Sequence, residues 1–258
     1  MKFSILISLF VFFTACSAQT LGVRNPFDSE ESNSMKPTVL VELFTSEGCS
    51  SCPPAERILA KLETEQPFKS AQIITLALHV DYWNYLGWKD KFSSSLYTQR
   101  QRVYDRKFRT GAIYTPQMVV DGTKQFVGSN IKEAEKAINK AAREKKAKID
   151  VSLKDHKLGV AISGIPDHKD ASVYLAITED NLKSNVRGGE NAGKKLRHVS
   201  VVRSLTGIGK IAEDDNSFDI QKILHIKKDW KKKNLKVVLF VQENQSRKIL
   251  GVRRIHFD

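Results

Sequence analysis

The apolar run Val39-Leu40-Val41-Glu42-Leu43-Phe44 is too short for a helix and continuous enough for a strand covered on both faces. Beyond a short polar break, Pro53 to Leu62 changes period, with Ile58, Leu59 and Leu62 on one helical face. Ala71 to Val80 is again almost continuously apolar and predicts a second buried strand. An aromatic segment follows, from Asp81 to Trp88. Ser93 to Phe108 then takes helical spacing through Leu96, Val103, Tyr104 and Phe108, with Ser93 or Ser94 as its cap. Tyr114 to Gly128 reads as two strands around Asp121-Gly122, a strong hairpin signal. Asn130 to Lys146 completes this part as a helix with Ile131, Ala134, Ile138 and Ala141 inward.

After Lys148 the pattern shortens. Segments 148–153, 157–163, 171–178, 196–205, 218–225, 236–242 and 248–255 read as strands separated by polar or turn-like stretches. About seven short strands of alternating character predict an all-β, sandwich-like domain. The expected organisation is an α/β domain over 38–147 followed by a β-sandwich domain over 148–258. No internal repeat is visible.

The N-terminal residues change the setting. Lys2 precedes an apolar core from Phe3 to Phe13, too short to cross a bilayer as a mature helix, and the segment reads as an export signal. Phe13-Thr14-Ala15-Cys16 resembles a bacterial lipobox, which would leave Cys16 lipidated after a 1–15 signal. Cleavage after Ala18 is the alternative, giving a 1–18 signal. Residues 19–37 are polar and read as a flexible tether. The expected location is therefore the bacterial periplasm, or a membrane-anchored lipoprotein with a lipid anchor.

Of three cysteines in 258 residues, two remain beyond the leader, at Cys49 and Cys52. A Cys-x-x-Cys at a strand-to-helix junction places the first sulfur over free helix N–H groups, which favour a thiolate. A disulfide closing so short a loop removes little chain entropy, so the pair points to redox chemistry rather than scaffolding. Cys49 is the expected nucleophile and Cys52 the resolving thiol, on the argument that the first is exposed and the second buried. Glu42 is either a buried acid relaying a proton to Cys52 or a paired strand glutamate. His79 and Asp81 would stabilise the thiolate, exchange protons or help hold a metal; a hydrogen-bonded core histidine is the alternative. Tyr82, Trp83, Tyr85 and Trp88 would line a substrate groove or simply pack their segment. Cys49, Cys52 and His79 are also a possible ligand set for Zn(II) or Cu(I), though no second Cys-x-x-Cys supports it. No organic cofactor is called for. The net charge of +13 is spread along the chain and densest at Lys227–Lys233; it reads as a solvated loop, and no nucleic-acid motif accompanies it.

Cys49-x-x-Cys52 after a strand, Thr115-Pro116 opening a hairpin and the closing helix together resemble the thioredoxin superfamily. The resemblance implies that Pro116 is cis and packs against the cysteines, and that the backbone of Thr115 faces a bound peptide. More specifically, Glu42 to Ala55, His79 to Trp88 and Tyr114 to Gly122 resemble an exported bacterial family known as domain of unknown function 1223. Glu190-Asn191-Ala192-Gly193, His198 and Val201-Val202-Arg203 extend that likeness into the second half. Gly48 replaces the usual tryptophan before the first cysteine, and Ser50-Ser51 lies between the two, which leaves the redox direction open. The leading expectation is an envelope thiol–disulfide oxidoreductase working on protein thiols and disulfides with a further redox partner. An envelope binding module with a structural cysteine pair, or a Cys/His metal-handling protein, are the alternatives.

Overall fold

The computed structural model describes residues 36–257. The leader, Cys16 and residues 19–35 of the tether lie outside them. The chain opens with β1 (Thr38–Thr45), α1 (Cys52–Glu65), β2 (Gln72–His79) and α2 (Ser95–Phe108). It continues through the hairpin β3 (Gln117–Val120) and β4 (Lys124–Val127) to α3 (Ile131–Ala141). β1 and β2 are parallel, pairing Thr38 with Gln72 and Thr45 with His79. β3 runs antiparallel to β1 and pairs with β4.

Alternation along β1 assigns its side chains to two layers. Val39, Val41 and Leu43 pack on Ala55, Leu59 and Leu62 of α1 and on Ala134, Ile138 and Ala141 of α3. Leu40 and Phe44 face the opposite layer with Tyr97 and Tyr104 of α2. Glu42 shares that second face. Its carboxylate takes both Nε and Nη2 of Arg100 at 2.5 and 3.0 Å and the Tyr104 hydroxyl at 2.5 Å. In the β3–β4 turn both Asp121 and Gly122 have positive φ, as a primed turn requires. A Cβ on Gly122 would fall 1.7 Å from the Arg247 carbonyl oxygen, so only glycine fits. The helix expected to run to Lys146 stops at Ala141 instead. Lys146 turns back to the Asp121 carboxylate and to the Ile249 carbonyl, at 2.6 Å from the latter.

The second half contributes β5 (Lys148–Lys154), β6 (Lys157–Ser163), β7 (Ala171–Glu179), β8 (Leu182–Asn185), β9 (Lys195–His198), β10 (Val201–Ile211), β11 (Ser217–Ile223), β12 (Leu235–Glu243) and β13 (Ile249–His256). Four of these strands join the first half in one eight-stranded mixed sheet, ordered β13-β12-β7-β10-β2-β1-β3-β4. The expected boundary at residue 148 therefore does not separate two sheets. The seam is the short parallel contact of β10 with β2, where Val201 pairs Ala77 and the Ala77 N–H donates to Ser200 at 2.8 Å. Lys236 reinforces it from β12: its ammonium reaches Glu63 of α1 at 2.6 Å and Asp180 at 2.7 Å. β11, β6 and β5 form a separate three-stranded sheet. Its Ile149, Leu158, Val160 and Ile162 pack on Val173, Leu175, Val237 and Leu239 of the large sheet. The strand read as 196–205 is two strands, β9 and β10, broken where Ser200 takes φ of 50°. The result is a mixed α/β fold with a large central sheet and, among the described residues, three α-helices.

Glu42 is 1 % exposed and depends on its cation. Arg100→Ala should lower stability by about 3–5 kcal/mol, because it leaves an unpaired buried carboxylate. Replacing both residues, as Glu42→Met with Arg100→Leu, should restore most of that loss in urea unfolding.

Candidate active site

The link from β1 to α1 is a tight loop. The Cys49 N–H donates to the Ser46 carbonyl and the Cys52 N–H to the Cys49 carbonyl, both at 3.2 Å. Pro53 and Pro54 occupy the first turn of α1, where no intrahelical N–H is required. Ser51 holds the N-cap position without capping the helix; its hydroxyl lies 3.3 Å from Cys49 Sγ instead. The Thr115 carbonyl approaches the same sulfur at 3.9 Å. The Thr115–Pro116 peptide bond is cis.

Cys49 and Cys52 are both free thiols and both fully buried. The expected contrast of exposed nucleophile and buried partner is therefore corrected, and hydrogen bonding supplies the asymmetry. The Cys52 thiol donates toward Cys49 and is the largest influence on it. That bond, with smaller help from the Ser51 and Thr115 hydroxyls, outweighs burial and lowers Cys49 to about 6. Burial, and then the same shared proton, drive Cys52 strongly upward. These opposite shifts favour the thiolate on Cys49 and the proton on Cys52.

Other residues singled out in the sequence scatter. Glu42 is on the α2 face of β1, bound to Arg100, whereas α1 lies on the other face; it is not the proton relay for Cys52. Asp81 accepts the Thr98 hydroxyl at 2.6 Å and anchors α2 rather than the cysteines. Trp83 and Trp88 reach the cysteine loop, but with their N–H groups turned inward. Trp83 donates to the Thr115 hydroxyl at 2.8 Å and Trp88 to Glu47 at 2.7 Å. Tyr82 and Trp83 pack partly buried against the α2-side core, and Tyr85 is 81 % exposed. The aromatic segment thus braces the loop.

His79 ends β2 on the α1 side, completely buried, with Nδ1 2.7 Å from Asp90 Oδ2. Asp90 also accepts the N–H groups of Glu47 and Phe92 at 3.0 and 2.9 Å. These bonds and the facing His79 overcome burial and hold its carboxyl below the usual range. Beside it His198, from the end of β9, lies between Glu56 Oε2 at 2.8 Å and Glu47 Oε1 at 3.1 Å. Burial opposes its charge, but the two carboxylates prevail and raise it to about 10. Glu56 also accepts the Thr45 hydroxyl at 2.7 Å. Among the described residues the one group of three metal-ligating side chains with donor atoms within 4.8 Å of one another is Glu56, His79 and His198. Cys49 and Cys52 do not join His79 in such a group.

The turn between β8 and β9 closes over the cysteine loop. Asn191 donates to the carbonyls of Glu47 and Cys49 at 2.9 and 2.8 Å. Glu190 accepts the N–H and hydroxyl of Ser50 at 2.9 and 2.6 Å. Arg203, by contrast, pairs with Glu179 and Asp229 away from the cysteines. Glu47, Glu56 and Asp90 escaped sequence reasoning, because each is an isolated acid in an otherwise unremarkable context. The Glu190-Asn191 and His198 motif was the one available signal for a contribution from the second half.

Residues 40–242 match the model of the family described as Protein of unknown function (DUF1223). The chain belongs to this family. No curated protein matches it. The DUF1223 chain is similar in structure to protein AGR_C_4864 from Agrobacterium tumefaciens, with a TM-score of 0.69 and 23% identity over 86% of this chain and 96% of that one. It is also similar to HBP35 of Porphyromonas gingivalis, with a TM-score of 0.63 and 18% identity over 87% of this chain and 76% of that one. At these identities the likeness establishes the shared fold.

Alkylation of Cys49 by iodoacetamide should follow a titration with its midpoint at about pH 6. Cys52→Ala removes the main donor to the thiolate and should move that midpoint upward, toward the free-cysteine value of about 8.5. Ser51→Ala should move it in the same direction by less.

Proposed function

We propose that this protein is a thiol–disulfide oxidoreductase acting on protein thiols and disulfides of the cell envelope. The observation that carries the reading is the pair of buried free thiols at the start of α1, with the Ser51 hydroxyl at Cys49 Sγ; these surroundings favour the thiolate on Cys49 and the proton on Cys52. Supporting it, the first half reads as thioredoxin-like. Its element order, parallel β1 and β2, and antiparallel β3 and β4 support that reading. The three-stranded layer over β7 and β12 is the sandwich-like part of the second half. The apolar leader supports export, to the periplasm or to a lipid anchor on Cys16.

In the reducing direction, Cys49 Sγ⁻ attacks one sulfur of a substrate disulfide. The S–S bond breaks, a mixed disulfide forms, and the departing substrate thiolate takes up a proton. Cys52 then loses its proton and attacks Cys49 Sγ, which releases the second substrate thiol. Two electrons have moved to the substrate and a Cys49–Cys52 disulfide remains, to be reduced by a dithiol donor. The reverse sequence oxidises a substrate dithiol. Because Cys49 is buried, the loop has to loosen before attack, and the exposed Glu190–Ser50 contact is the part most easily released.

The test is the reduction potential of the pair in glutathione or dithiothreitol buffers. A reversible couple between about −120 and −270 mV supports the reading, and a value below about −300 mV identifies a structural bridge and overturns it. Cys49→Ser should abolish turnover of a peptide disulfide, whereas Cys52→Ser should accumulate a mixed disulfide. Glu190→Ala should accelerate alkylation of Cys49 several-fold, with its pH midpoint unchanged.

A further inference from the structure

Behind the cysteines the structure collects three buried or nearly buried carboxylates, Glu47, Glu56 and Asp90, around two buried imidazoles, His79 and His198. His79 Nε2 is the informative atom. Its residue is 0 % exposed, and this nitrogen has no hydrogen-bond partner. Asp90, itself fixed by two backbone N–H groups, can only accept at His79 Nδ1. An Nδ1–H therefore occupies that bond, and Nε2 is the ring nitrogen left without a partner in a residue grouped with Glu56 and His198. A buried polar nitrogen without a partner is costly, and a ligand that engages it removes that cost.

We propose that Glu56, His79 and His198 form a binding site for a divalent transition-metal ion of the zinc class, held by His79 Nε2, His198 Nδ1 and Glu56 Oε2. His198 repeats the arrangement of His79: its Nε2 is backed by Glu47, as the Nδ1 of His79 is backed by Asp90. A carboxylate behind each imidazole is the support that metal-bound histidines receive from their surroundings. Glu56 is oriented likewise, because Oε1 accepts the Thr45 hydroxyl and leaves Oε2 toward His198. The ion takes the position of the proton shared by His198 Nδ1 and Glu56 Oε2 and expels it. Donors now within 4.8 Å of one another close to separations of about 3.3 Å around a tetrahedral ion, an adjustment of side-chain rotation. Two positive charges then face three carboxylates. Glu56 and His198 also line a narrow crevice with Leu59, Ala77 and Val199, too tight for a water molecule, so an ion enters only as these side chains move apart. Two histidines and one carboxylate leave a fourth position for water. The site requires neither cysteine and is independent of the redox reading.

The deciding experiment titrates the folded Cys49→Ser/Cys52→Ser protein with Co(II) and Zn(II) and records the cobalt spectrum. The expected result is one ion per chain, visible d–d bands without a thiolate charge-transfer band, and a shell of nitrogen and oxygen by X-ray absorption. Glu56→Gln and His79→Asn should each weaken binding at least ten-fold in chains whose circular dichroism is unchanged. Should either variant fail to fold, the metal count and ligand shell of the double-serine protein still decide the matter. No uptake by that protein, or uptake that neither ligand substitution alters, overturns the site. Binding confined to the wild-type dithiol, with a thiolate band, does so as well, by placing the metal on the cysteines.

Discussion

Buried charge needs a partner, and in this fold the partners are supplied across the chain. His198 is held by Glu47 of the cysteine loop and Glu56 of α1, although it closes a strand almost 150 residues later. An ionised carboxylate without a cation would cost several kcal/mol at this depth, so neither side of the contact is tolerable without the other. The same holds at the seam of the sheet, where Glu63 of α1 meets Lys236 and Arg254. Apolar packing could tolerate a shift of β10 against β2. These paired charges, with short directional bonds, fix where the second half attaches and so where the β8–β9 turn meets the cysteines.

The cysteine chemistry follows from that enclosure. A thiolate in a dry environment is ordinarily disfavoured, and burial does oppose it at Cys49. Three neighbours reverse the balance, and the strongest is the other sulfur. Burial acts on Cys52 in the same sense, with no comparable donor to offset it, so the proton remains there. The two thiols differ because of where donors converge rather than because one meets solvent.

Most of the first half was legible in the sequence. Unbroken apolar runs marked β1 and β2, Asp121-Gly122 marked its hairpin, and Ser94 and Asn130 cap helices within two residues of the expected starts. The second half was legible as strands and not as topology. Alternation shows that a strand has a buried face; it does not say which sheet it joins, and β7, β10, β12 and β13 extend a sheet begun before residue 80. Ser200 hides a further break, because nothing in Leu196–Leu205 announces a left-handed residue. In the site, the cysteines were readable from local spacing, and Thr115-Pro116 entered through the family resemblance. Glu56, Glu47 and Asp90 were not, since their partners arrive from distant elements. For Glu42 the sequence left a proton relay and a paired strand glutamate open, and parity decides for the second: alternate residues of a strand point to opposite layers, and position 42 shares its face with Leu40 and Phe44, opposite α1.

That parity explains the division of labour among the buried acids. Glu42 faces α2, where a guanidinium and a phenol occupy its oxygens, and it serves packing. Thr45, three residues on, faces α1, and its hydroxyl joins Glu56 instead. His79, paired with Thr45 in the β1–β2 register, lies on that same layer. One strand thus separates a structural ion pair from a titratable cluster only a few residues away. The cluster collects on the α1 side because that is where the cysteine loop, the end of β2 and the end of β9 converge, and it is also the side on which an unsatisfied histidine nitrogen remains.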